Sequence, residues 1–181
     1  MNNRKRIIKR DFFEGPTVIV ARELIGCALV RRRNGKIERF MITETEAYDG
    51  PQDLACHGAK GLTPRTKVLF GKAGHLYVYF TYGMHWLLNV VAGPEGYPAG
   101  VLIRGIVDPK GTAVNGPARI TKKLSIDGRF HGKAATRSSG LWFEERSTVI
   151  SARHIKSSPR VGIDYAGPIW AKKPWRFRLM G

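Results

Sequence analysis

Between Phe40 and Ala59 the chain carries Glu44, Glu46, Asp49 and Asp53 and no lysine or arginine, in a molecule holding 31 such bases against 14 acids. A carboxylate kept apart from bases can serve as a general base, pair with a distant arginine or ligate a metal. Side chains that attract phosphate cannot take the first of these roles. On a strand with period two, Glu44, Glu46 and Tyr48 share one face while Thr45 and Ala47 turn away, so two carboxylates and an aromatic converge. His57, His75 and His85 lack the H-E-x-x-H spacing of zinc hydrolases, and Cys27 and Cys56 form no C-x-x-C pair. A two-metal nuclease built on the acids stays open as an alternative.

Aromatic residues form the second group. Tyr48, Tyr77, Tyr79 and Trp86 can either build a stacking pocket for a base or pack as ordinary strand aromatics. Tyr82 stands at the tip of an expected hairpin, where it either folds back on the core or projects as a wedge between stacked bases.

The elements that must position these groups follow from local pattern. Pro16 before TVIVARELIG predicts a short helix with Gly26 just past its end and Val18, Ala21 and Ile25 on its apolar side. Asn34-Gly35 between apolar-rich arms predicts a β-hairpin whose second strand carries the acids. After Gly50-Pro51 the chain is expected to be irregular up to Gly74. A second hairpin then turns at Tyr82-Gly83-Met84, VLIRGIVD forms a strand carrying Arg104, Gly116-Pro117 opens a helix, and LWFEERSTVI forms one more strand. Strands flanked by hairpin turns favour an antiparallel α+β fold over a doubly wound parallel sheet.

The 181 residues suit one domain spanning 1–181. The net charge of +17 makes nucleic acid the leading partner, with an anionic membrane or plain solubility as duller explanations. Arg4, Lys5, Arg6, Lys9 and Arg10 suggest a flexible basic tail over residues 1–10. The N-terminus lacks the apolar stretch of a secretory signal, and no run of about 18 apolar residues occurs, so a cytoplasmic protein without a membrane segment is expected.

The run ITETEAYDGPQDLACH, then Thr63-Pro64-Arg65, LYVYFTYGMHWLLNVV, VLIRGI, NGPARITKKLSI and PRVGIDYAGPIWAKKPWRF together resemble the alkyladenine (3-methyladenine) DNA glycosylase family, in order and over most of the chain. The resemblance implies a compact α+β domain with a curved antiparallel sheet, surrounding helices and a protruding DNA-inserting hairpin. It implies excision of 3-methyladenine, 7-methylguanine and, further, hypoxanthine or ethenoadenine from double-stranded DNA, by a monomer that is nucleoid-associated if bacterial. By the same resemblance Glu46 is the general base, with Arg104 and the carbonyl of Val161 positioning its water. Tyr48 and Tyr79 sandwich the flipped base, His57 meets its edge, Asn89 disfavours the amine of guanine, and Tyr82 fills the vacated stack. The implied mechanism uses no cofactor and no metal. Two departures stand out: the link from Asp108 to Gly116 is shorter than in many relatives, with the basic stretch 129–137 as a candidate substitute surface, and His85 stands where some relatives carry tyrosine.

Overall fold

The computed structural model describes residues 6–180. Its framework is one antiparallel sheet of nine strands. Strand β1 (Ala28–Arg33) turns at Asn34 and Gly35, whose φ angles of 50° and 74° are those a two-residue hairpin turn needs, into β2 (Lys36–Asp49). The second hairpin joins β3 (Leu76–Thr81) to β4 (His85–Val91), followed by β5 (Ala99–Val107). Short strands β6 (Ala113–Asn115), β7 (Leu141–Glu144), β8 (Ile155–Ser158) and β9 (Arg176–Leu179) complete it. The main path runs β3-β4-β5-β2-β1-β7, an open sheet with β6 beside β5 and β9 beside both β2 and β8. The fold is the expected antiparallel α+β domain.

β2 organises the sheet. Along one edge it pairs with β5 from Met41 to Asp49; along the other it pairs first with β1 up to Met41, then with β9 from Glu44 to Glu46. The register against β5 slips on either side of Glu44, leaving Thr43 and Arg104 without direct partners. Such irregularity re-aims side chains, and here it surrounds the carboxylates. Gly105 opposes Glu44 at this point, and a Cβ there would lie 2.8 Å from the Cβ of Glu44, so only glycine permits the approach.

The two faces of β2 separate as its alternation predicts. Thr45 is buried against the helix layer and donates from Oγ1 to the carbonyl of Ala21 at 2.7 Å. That helix, α2, spans Thr17–Glu23 and begins behind Pro16; its buried side is Val20 and Ala21, continued by Leu24 and Ile25, while Val18 is half-buried. Helix α3 (Pro117–Leu124) packs on β4 and β5, and Thr121 Oγ1 donates to the carbonyl of Trp86 at 2.7 Å. Two shorter helices, α1 (Arg10–Phe13) and α4 (Gly167–Ala171), lie near the chain ends.

Several expectations need correction. The strand expected over LWFEERSTVI stops at Glu144, because its template β1 begins at Ala28, opposite that residue. The segment from Gly50 to Gly74 contains two 3₁₀ turns, His57–Lys60 and Thr66–Phe70. Of the basic tail expected over residues 1–10, residues 1–5 lie outside the described residues; Ile8 is buried and its N–H donates to the carbonyl of Phe143 at 2.9 Å. The Asp108–Gly116 link is a tight turn, with Asp108 Oδ1 accepting from the N–H groups of Lys110 and Thr112, and it leads directly into β6.

Ile103 is fully buried and pairs with Thr45, so it supports the carboxylate-bearing strand from beneath. An Ile103→Ala protein should lose about 2–5 kcal/mol of unfolding free energy, read as a lowered urea midpoint. An unchanged midpoint would mean that this layer is not tightly packed.

Candidate active site

A cavity of about 340 Å³ opens beside the Tyr82 hairpin, large enough for one small ligand. Tyr48, His57, Tyr79, Asn89, Arg104 and Val161 line it, and Tyr82 borders it. Strands β2, β3, β4 and β5 supply four of these side chains; the others come from the turn at His57, the hairpin turn at Tyr82 and the segment before α4. Every residue expected at the site is thus brought together around one space, except Glu46, which stands behind its wall.

Glu46 has no exposed surface. Its Oε1 accepts from the Val161 N–H at 2.8 Å and lies 3.3 Å from Arg104 Nε, and its Oε2 accepts from the Tyr48 hydroxyl at 2.9 Å. All three partners line the cavity. Burial pushes the Glu46 carboxyl above its ordinary range, and Arg104, the Val161 amide and the Tyr48 hydroxyl pull it partly back. Burial and the neighbouring carboxylate hold the Tyr48 phenol well above its own usual value, so it remains a donor. Val161, whose carbonyl is expected to position the water, also meets Glu46 through its amide.

Arg104 is aimed by Glu44, whose Oε1 accepts from Arg104 Nε at 3.0 Å and from Arg176 Nε at 2.7 Å. Glu44 is therefore an arginine partner. Asp53 is another, fully buried, with Oδ2 2.5 Å from Arg160 Nη1 and Oδ1 2.9 Å from Nη2. Its remaining capacity is filled by the N–H groups of Asp49 and Ala55. Arg160 also donates to the carbonyls of Ala47 and Trp170, and its guanidinium lies 4.8 Å from the centre of the Tyr48 ring. This clamp holds the residue before Val161 against the strand that bears Glu46. Among the described residues, no three or more His, Cys, Asp or Glu side chains gather in a metal-binding arrangement. Of the four acids that left a two-metal nuclease open, Glu44 and Asp53 are paired with arginines and Glu46 lies 3.3 Å from Arg104 Nε.

The opposite wall is aromatic. Tyr79 meets His57 edge-on with ring centres 4.6 Å apart, and His57 Nδ1 is 2.9 Å from the Tyr77 hydroxyl. Burial, aided by Arg65 and Lys60, pushes the His57 imidazole down to about 4, so it is neutral at pH 7. Asn89 is buried on the neighbouring strand and donates from Nδ2 to the carbonyl of Tyr77 at 3.2 Å. Cys56 also lines the cavity, but burial pushes its thiol up to about 11, away from nucleophilic use. Trp86 is not part of the wall; it packs against Phe80 and over Gly128.

Tyr82 does not fold back. It sits at φ 52° in the three-residue turn with 84% of its surface exposed, and Met84 beside it is exposed as well. His85, paired with Thr81 next to the hairpin turn, is exposed and lines the cavity. A family model described as methylpurine-DNA glycosylase (MPG) matches residues 11–181.

The chain belongs to that family.

Similar proteins include one from Myxococcus xanthus, 43% identical over 93% of this chain and 88% of its own. Another, from Wolbachia sp. subsp. Brugia malayi, is 42% identical over 99% of both chains, and a third, from Methanocella arvoryzae, is 39% identical over 94% and 91%. All three carry the name "Putative 3-methyladenine DNA glycosylase". Membership in the methylpurine-DNA glycosylase family supports DNA glycosylase activity, and DNA as its substrate. Among the described residues no helix is long and apolar enough to cross a membrane.

Sequence reasoning missed the clamp. Asp53 reads only as one of four acids and Arg160 only as part of the PRVGIDYAGPIWAKKPWRF run, and no spacing rule connects positions 107 apart. Asp53→Ala leaves the Arg160 guanidinium buried without its carboxylate, and should cost about 3–5 kcal/mol in urea unfolding. A loss under about 1 kcal/mol would show that the pair is replaceable.

Proposed function

We propose that this protein is a monofunctional purine-DNA glycosylase, working as one domain over residues 1–181. It extrudes an alkylated or deaminated purine from duplex DNA, hydrolyses its N-glycosidic bond and leaves an abasic site. The substrates are 3-methyladenine, 7-methylguanine, hypoxanthine and ethenoadenine. The observation that carries this reading is the ionisable side chain of Glu46, held by three cavity-lining groups directly behind a base-sized aromatic slot. The net charge of +17 supports association with the DNA backbone, and monomeric action at the nucleoid is the simplest arrangement.

The steps follow from geometry and electrostatics. A stacked duplex hides the glycosidic bond, so the nucleotide must leave the helix first. Tyr82, exposed at the hairpin turn, enters the gap it leaves. The purine lies between Tyr48 and Tyr79, with neutral His57 at its edge and Asn89 excluding the amine of guanine. Water admitted past Val161 reaches Glu46, which takes its proton as the oxygen attacks the anomeric carbon and the glycosidic C–N bond breaks, its electron pair leaving with the purine. The carboxylate also stabilises the positive charge growing on the sugar. Arg104, held by Glu44, orients that water and keeps Glu46 ionised. Basic residues 129–137 supply further phosphate contacts.

Glu46→Gln should keep its affinity for lesion DNA while base release falls by about 10²–10⁴-fold. Equal release by both proteins would remove Glu46 from the mechanism. The raised folded-state pKa means that ionisation costs stability as pH climbs through it, so the neutral glutamine should unfold no earlier than the parent at pH 8. Because the base works only when ionised, the acid limb of single-turnover kcat should lie above the ordinary value of 4.5. Tyr48→Phe removes a hydrogen bond to the charged form and should move that limb to higher pH; a limb that stays in place or falls would contradict the assignment.

Tyr82→Ala should weaken binding to lesion duplex by roughly 1–3 kcal/mol, as titration with a fluorescent duplex would record. The melting temperature should not change, because the ring touches no core. Undiminished affinity would mean that another group fills the gap.

A further inference from the structure

We propose that Arg65 is a specificity-determining residue: its guanidinium, stacked on the Tyr79 ring outside the cavity, turns the slot away from cationic purines and toward neutral ones. The inference rests on the glycosylase reading above and adds which class of lesion the slot favours. Arg65 Cζ lies 4.9 Å from the centre of the Tyr79 ring. Arg65 is exposed and does not line the cavity, whereas Tyr79 does, so the charge sits on the ring face turned away from the bound base.

Aromatic faces attract cations through their negative quadrupole, which favours a positively charged alkylated purine. A guanidinium already on one face takes up part of that attraction and repels a second cation across the ring. With a stacking distance of about 3.5–4 Å, the two charges would stand roughly 8–9 Å apart. That is close to the Debye length of about 8 Å at physiological salt, so the repulsion is felt but screened.

The walls differ in a way that isolates Arg65. Tyr48 also carries a guanidinium at 4.8 Å, that of Arg160, but Asp53 meets it with two hydrogen bonds in the buried interior. Among the described residues Arg65 has no carboxylate within ion-pair reach. Its field reaches the cavity, since Arg65 and Lys60 both disfavour the charged imidazole of His57 there. A cationic purine in the same space meets the same field. Glu46 attracts a cationic purine in the slot as well, but that attraction is the same in the parent and in Arg65 variants, so comparing them isolates Arg65.

The test compares release of 7-methylguanine and hypoxanthine from matched duplexes by the parent, Arg65→Met and Arg65→Lys proteins, at low and physiological salt. Arg65→Met should raise the 7-methylguanine to hypoxanthine ratio of single-turnover kcat/KM by about threefold to tenfold, more at low salt, and Arg65→Lys should stay near the parent ratio. Both rates changing in parallel, with the ratio constant, would make Arg65 a support for the Tyr79 ring and overturn the proposal. Should the parent release neither base, the glycosylase reading fails by itself. Arg65 is then judged by calorimetric binding of 7-methylguanosine and inosine: the same shift in ratio sustains the charge effect, and a constant ratio removes it.

Discussion

The site depends on one ion pair that touches no substrate. Asp53 and Arg160 meet in the interior, and each spends its remaining hydrogen-bonding capacity mostly on main-chain groups of the surrounding segments. Burying two charges is expensive, and such a pair is tolerated only when nearly every polar atom is satisfied. What it secures here is position. Val161 follows Arg160 directly, so tying the guanidinium to Asp53 and to the carbonyl of Ala47 sets the Val161 amide against Glu46. The same guanidinium supports the ring of Tyr48 from behind. One buried contact thereby places two of the three groups that hold the Glu46 carboxylate.

Arg104, the third, is placed by the irregular pairing of β2 with β5. A regular ladder would give it a cross-strand partner, whereas the register slip leaves it unmatched beside Glu44 and Glu46. Gly105 makes the slip possible by letting the Glu44 side chain approach the neighbouring backbone. The outcome is a graded arrangement of charge. Glu44 is satisfied by two arginines, Asp53 by one in bidentate fashion, and Glu46 is left with a more distant arginine and a raised pKa. Of these three acids, Glu46 is the one whose arginine stands farthest from its carboxylate.

Much of this was legible in the sequence, for identifiable reasons. The period-two alternation put Glu44, Glu46 and Tyr48 on one face, and Thr45 does point the other way, into the helix layer. Asn34-Gly35 and Gly116-Pro117 marked a turn and a helix start by local backbone chemistry. Tyr82 could not be decided locally, because exposure depends on how far a hairpin projects beyond the body of the sheet. Strand β9 and the clamp were invisible for a related reason: each depends on partners more than 100 positions away. The strand expected through Ile150 was overextended because propensity carries no information about where the neighbouring strand begins.

The handover along the edge of β2, from β1 to β9, means that the carboxylate strand is completed by the last part of the chain. Glu44 waits for Arg176, and Glu46 for Val161. On the ribosome, the nascent polypeptide can form its early hairpin and even expose its acids without possessing a working centre. By the function proposed above, catalytic competence would come only once translation has passed these late positions.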